Sequence, residues 1–128
     1  MFVFRLKDKT LQEACEAALA SVEKLRHAVQ TLNQERADTH AKPMEFGVAL
    51  HHGTVMYGNI GAPTRLDFTV IGPAVNLTAR IEALCSYFGT DLVVTEEFAK
   101  VLPRTFRFLG AQLIKGLPRE LNVYGQIR

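Results

Sequence analysis

The sequence predicts an α+β sandwich, with helices packed on a mostly antiparallel sheet. Two observations carry this. One long stretch near the start has apolar residues at helical spacing, and most later apolar runs are short and rich in β-branched and aromatic types. In order they read β-α-β-β-β-α-β-α-β-β, the arrangement of an α+β domain. The 128 residues suffice for one hydrophobic core and not for two ordinary domains.

Met1 to Arg5 is apolar and β-like, and Lys7-Asp8-Lys9 reads as a turn. Thr10-Leu11-Gln12-Glu13 is a capping box, so a helix starts after Thr10. Leu11, Cys15, Ala18, Val22, Leu25, Val29 and Leu32 alternate spacings of four and three, which makes one apolar stripe. A coiled coil is the rival reading, but about three heptads ending in a loop favour a packed helix. The loop covers Ala37 to Pro43.

Met44 to Leu50 reads as a strand, His51-His52-Gly53 as its turn, and Thr54 to Tyr57 as the return strand. Gly58 to Pro63 reads as a loop and Leu66 to Ile71 as the next strand. Gly72-Pro73 opens a helix whose buried face is Ala74, Leu77, Ile81, Leu84, Cys85 and Phe88, with Gly89 as its stop. Leu92 to Thr95 is a short strand and Glu96 to Leu102 a short helix closed by Pro103. Phe106 to Ile114 and Leu121 to Ile127 are two last strands, joined by a turn over Lys115 to Glu120.

Hydrophobic residues make up 48% and charged residues 22%, the balance of a globular chain rather than a disordered tail. A net charge of +2 is small for a nucleic-acid binder of this size. No apolar run approaches the roughly 20 residues of a membrane span. Cys15 and Cys85 lie far apart in helical patterns and read as two buried thiols in a reducing cytoplasm.

Most polar residues have simple structural explanations. His27, with Arg26 and Lys24, reads as a solvated helix face, and His40 sits in a loop. His51 and His52 are adjacent, and neighbours on a strand or turn usually point apart. Gly58-Asn59-Ile60-Gly61 alone is a weak phosphate-loop pattern. Asn76 and Arg80 are four apart, so they share a helix face at the flank of the apolar stripe. Spacing alone favours a local cap for Asn76 and a solvated charge, paired with Glu82 or Glu97, for Arg80.

Three segments carry more. Phe46 to Gly53 (FGVALHHG), Gly58 to Gly61 (GNIG) and Asp67 to Glu82 (DFTVIGPAVNLTARIE) closely resemble the class III adenylate/guanylate cyclase catalytic domain. Leu113-Ile114-Lys115-Gly116-Leu117 with Val123-Tyr124 resembles the closing hairpin of that family. The resemblance runs in order along the whole chain, and VNLTARIE is its most specific part.

The resemblance implies a ferredoxin-like cyclase sandwich that converts a nucleoside triphosphate into a 3′,5′-cyclic monophosphate and pyrophosphate. Active sites of the family form at a dimer interface. By motif position Thr69 would contact the purine, Asn76 would orient the ribose, Arg80 would stabilise charge on the α-phosphate, and Lys115 would hold the terminal phosphates. These types suit phosphoryl transfer, where positioning and charge neutralisation supply most of the catalysis. A guanidinium matches phosphoryl oxygens and keeps its charge. Thr69 leans the substrate to ATP over GTP.

The two metal-binding aspartates of the family and its base-reading lysine have no counterpart here. Asp8, Asp38, Asp67 and Asp91 are the only aspartates, and none pairs with a second carboxylate in the family's pattern. Pro73 replaces a common acidic residue of the family and is read as a tolerated first-turn variant. The expectation is therefore a partial, N-terminally truncated domain over 1–128, with no metal ligands of its own. Its Mg²⁺ or Mn²⁺ would be held by the missing segment, and the chain alone would be inactive. It would persist as a homodimer or a strand-exchanged oligomer, in the cytoplasm, with no nucleic-acid or membrane partner. The alternative is a non-catalytic module that contacts nucleotide or dimerises with a full cyclase. A nucleic-acid-binding sheet is disfavoured because core packing explains the strand aromatics Phe46, Phe68, Phe106 and Phe108.

Overall fold

The computed structural model describes residues 10–53, 56–59, 68–71, 73–114 and 116–127. The strand expected at Met1–Arg5, the turn at Lys7–Lys9, the glycine-proline loop around Gly61 and the residues Asp67, Gly72 and Lys115 lie outside them.

The first helix, α1, spans Leu11–Asp38. Its capping box forms as expected: Glu13 N–H donates to Thr10 Oγ1 at 3.1 Å, and Glu13 Oε1 accepts from the Thr10 backbone N–H at 3.4 Å. The elements that follow are β1 (Val48–Leu50), β2 (Met56–Asn59), β3 (Phe68–Ile71), α2 (Pro73–Glu82), α3 (Leu84–Phe88), β4 (Leu92–Thr95), α4 (Glu96–Val101), β5 (Phe106–Gln112) and β6 (Leu121–Gln126). A four-stranded sheet runs β1-β4-β6-β5, and β2 and β3 form a separate two-stranded ladder. β1 and β4 are parallel; the other pairs are antiparallel.

Alternation along the central strands builds two cores, one on each face of the sheet. Leu92 and Val94 join Cys15, Ala18 and Val22 of α1 and Phe98 of α4. Val93 and Val123 join Ile81 and Cys85 from α2 and α3. All four residues of β4 are buried, as a strand covered on both faces requires. On the α2 side the helix comes very close. A Cβ on Gly47 would lie 2.8 Å from Glu82 Oε1 and 3.0 Å from Cys85 Cβ, so a larger residue there would require the Glu82 and Cys85 side chains to shift. Both thiols are buried and unbridged, and burial pushes both up.

Four expectations are corrected. The strand expected from Met44 is ladder-paired only over Val48–Leu50, because the Met44 backbone is held instead by Asn33 of α1: Asn33 Oδ1 accepts from Met44 N–H at 2.6 Å and Asn33 Nδ2 donates to Met44 O at 3.1 Å. Among the described residues the return strand covers Met56–Asn59 and pairs with β3 rather than β1, which places Gly58 and Asn59 in a ladder rather than a loop; Thr54 lies outside the described residues. The helix after Pro73 is interrupted at Ala83, although Gly89 stops it as expected in a left-handed conformation. The apolar stripe of α1 is buried only as far as Val22; Leu25 and Leu32 are 39% and 38% exposed.

Candidate functional site

Two of the residues singled out by sequence, Asn76 and Arg80, lie on α2, and Thr69 lies on β3 of the two-stranded ladder. Thr69 stands on β3 opposite Gly58, two residues before the end of the strand that leads to α2. Pro73 is the first residue of α2 and needs no amide partner there. Ile81 is fully buried and anchors the helix. That leaves Asn76 and Arg80, one turn apart, on the exposed side.

Arg80 reaches the turn after β5. A Cβ on Gly116 would lie 2.8 Å from Arg80 Nη1, so the guanidinium lies directly against the Gly116 backbone. Gly116 has φ +93, a conformation that L side chains rarely adopt. Leu117 N–H donates to Ile114 O at 3.0 Å and closes the turn. Ile114 is buried beside Ile81, which fixes the turn against the helix. Lys115, outside the described residues, is covalently next to Gly116. The structure thus brings the Arg80 guanidinium to Gly116, 36 positions away in the sequence. The clue was present in the spacing of neither segment.

A second polar group on this face was missed. His51 follows β1 on the side of Ala49, and its Nδ1 lies 2.8 Å from Oγ1 of the fully buried Thr95. Thr95 Oγ1 also accepts from Phe98 N–H at 3.4 Å, capping α4. His52 Nε2 lies 2.8 Å from Glu97 O, and the two imidazoles stack at 6.2 Å with 14° between planes. The expectation that the two histidines point apart is corrected: β1 ends at Leu50, strand alternation stops, and both rings turn towards the start of α4. Burial lowers the His51 pKa from its ordinary value; Glu97 opposes that shift and His52 adds to it. A Cβ on Gly53 would lie 3.0 Å from Ala74 Cβ, so this turn also packs on the first turn of α2.

Arg26 is corrected as well. It is not a solvated helix charge: its side chain is 14% exposed, Nε and Nη2 bind Asp91 at 2.9 and 2.7 Å, and Nη1 binds Gln126 at 2.6 Å and also Glu23. Asp91 in turn holds the guanidinium pKa up. Two recesses, of about 500 and 460 Å³, lie around this cluster and share Gln126. They are shallow and contain none of the residues that sequence pointed to.

Among the described residues no group of three or more His, Cys, Asp or Glu side chains is placed to hold a metal ion. They do not fit a Mg²⁺ or Mn²⁺ site. What the α2 face offers is cationic and hydrogen-bonding: a guanidinium set against a glycine turn, with an amide one turn earlier. That set suits an anion with a polar neighbour, such as a phosphorylated sugar.

A family model described as the adenylate and guanylate cyclase catalytic domain matches residues 1–124. An adenylate cyclase of Anabaena cylindrica is 31% identical over 118 residues, covering 85% of this chain and 24% of that protein. Adenylate cyclase 1 of Rhizobium meliloti is 27% identical over 115 residues, 88% of this chain and 17% of that protein. The crystal structure of the adenylyl cyclase CyaB from P. aeruginosa superposes with a TM-score of 0.80 at 26% identity, covering 95% of this chain and 64% of that one. The guanylyl cyclase Cya2 gives 0.75 at 25% identity, over 92% of this chain and 60% of that one. The chain spans about a quarter or less of those two relatives' length and under two thirds of each solved domain. It belongs to the adenylate and guanylate cyclase catalytic domain family.

Proposed function

We propose that this chain supplies the nucleotide-contacting half of an adenylate cyclase site, which forms 3′,5′-cyclic AMP and pyrophosphate from ATP in cyclic-nucleotide signalling. One observation carries the reading: the Arg80 guanidinium lies against the Gly116 turn, with Asn76 one turn earlier on the same exposed face. In cyclisation the ribose 3′-oxygen attacks the α-phosphorus, the bond to the β-phosphate bridging oxygen breaks, and pyrophosphate leaves. Arg80 neutralises charge that grows on the α-phosphoryl oxygens, and its fork geometry favours the transition state over the ground state. Asn76 orients the ribose so that the 3′-oxygen lies in line. Lys115 holds the leaving pyrophosphate as a point charge. Thr69 reads the purine edge. Names of relatives support the adenylate over the guanylate reading.

In this proposal the divalent ion is bound by carboxylates that this chain does not contribute, and the chain alone does not turn over ATP. A catalytic dimer in the cytoplasm assembles the whole site. The test joins this chain to the part of the P. aeruginosa cyclase domain that it does not match, and measures cyclic AMP. The hybrid should be active, the chain alone silent, and Arg80→Ala in the hybrid slower by about 10³-fold. A folded hybrid with no activity, or one whose activity is indifferent to Arg80, would sink the proposal. Turnover by the chain alone would refute its dependence on outside carboxylates, and cyclic GMP as the main product would refute its substrate.

A further inference from the structure

The second half of α1 continues the apolar stripe beyond the core that buries its first half. Cys15, Ala18 and Val22 are buried, Val29 is half-buried, and Leu25 and Leu32 are 39% and 38% exposed. Arg26 marks the last tie to the sheet, through Asp91 before β4 and Gln126 at the end of β6. From there to Asp38 the helix projects about 18 Å. Met44, 46% exposed, is fixed beside it through the two hydrogen bonds to Asn33.

We propose that this face pairs with a second copy of the chain, helix against helix and antiparallel, about a two-fold axis between Ala28 and Val29. The face is self-complementary in that arrangement. The midpoint of Leu25 and Leu32 falls between Ala28 and Val29, so Leu25 meets Leu32 of the partner subunit and the reverse. Ala28, small and exposed, sits at the crossing, where packed helices approach to about 8–10 Å. Lys24 and Glu35 are both exposed and project within about 40° of Ala28 on the same flank. The axis brings Lys24 within one turn of the partner subunit's Glu35, twice over. The contact uses neither α2 nor Gly116. A face this small gives weak, concentration-dependent association.

Sedimentation velocity over a concentration series up to about 1 mM tests it. The wild type should dimerise, and Leu25→Glu/Leu32→Glu should abolish the dimer while circular dichroism shows a folded chain. Lys24→Glu should weaken the dimer about fivefold, and Lys24→Glu/Glu35→Lys should restore it. Ala28→Cys should form a disulfide-linked dimer under mild oxidation, whereas Gln30→Cys, on the opposite side of the helix, should not. Arg80→Ala should change nothing. A wild type that stays monomeric, an association indifferent to the double glutamate variant, or a charge swap that fails to rescue would each overturn the proposal. So would capture of this face by a different protein with no self-association.

Discussion

Arg26 and Arg80 stand on amphipathic helices that cover opposite faces of one sheet, and their surroundings make them different chemical groups. The Arg26 side chain is 14% exposed and clamped in a fork by Asp91, with Gln126 and Glu23 bound at Nη1. It holds α1 to the start of β4 and the end of β6. Arg80 is exposed and lies against a glycine turn, where an incoming anion can reach it. The same side chain is a staple on one face and a candidate reagent on the other. What separates them is burial: the Arg26 side chain is packed against the sheet, and Arg80 stands on an exposed helix face.

The sharpest way to break this contrast is to truncate each arginine. Arg26→Ala leaves Asp91 partly buried without its cation, and should cost about 2–3 kcal/mol of unfolding free energy in urea titration. Part of the cost is recovered because Asp91 is 24% exposed on its side chain. Arg80→Ala, at an exposed position, should cost less than Arg26→Ala. Equal losses for the two would show that Arg80 too is structural.

Gly116 sharpens the contrast at the site itself. Gly116→Ala places a methyl 2.8 Å from Arg80 Nη1 and imposes a φ of +93 on an L residue. The contact is with the tip of a flexible side chain, so the guanidinium swings away and the backbone stays. About 1 kcal/mol of stability should be lost to backbone strain. Affinity for ATP, followed by NMR titration, should fall about tenfold if the Arg80 position is what binds phosphate. Unchanged affinity would reduce Gly116 to a turn residue.

Local signals in the sequence announced most elements. The Thr10–Glu13 capping box, the Pro73 start and the Gly89 stop each depend on neighbours within four residues, and each forms as expected. What sequence could not announce was decided by partners far along the chain. Met44 leaves its strand because Asn33 offers both halves of an amide to its backbone. Met56–Asn59 chooses β3 over β1. Arg26 looked solvated because Asp91, 65 positions away, was not visible beside it. The candidate site divides the same way. Asn76 and Arg80 share a helix face by spacing, but the approach of Arg80 to Gly116 depends on Ile81 and Ile114 meeting in a common core.

The smallest expected effect concerns His51, which gives the α2 face a titrating group in its packed interior. Burial lowers its pKa, Glu97 pulls it back up, and His52 lowers it further; Thr95 is the neutral partner at Nδ1. In the unfolded chain the imidazole titrates near 6.5. Between that value and the lower folded value the unfolded chain binds more protons than the folded one, so stability must rise with pH there. The contribution is complete above about 6.5 and fades as pH falls below it. Urea titrations from pH 8 to pH 5.5 should therefore show a decline that begins near 6.5, above the range of ordinary carboxylates. His51→Gln keeps a hydrogen-bonding side chain but cannot titrate, so it should flatten that decline while His27, His40 and His52 are intact. A slope that survives the substitution would leave His51 as packing alone.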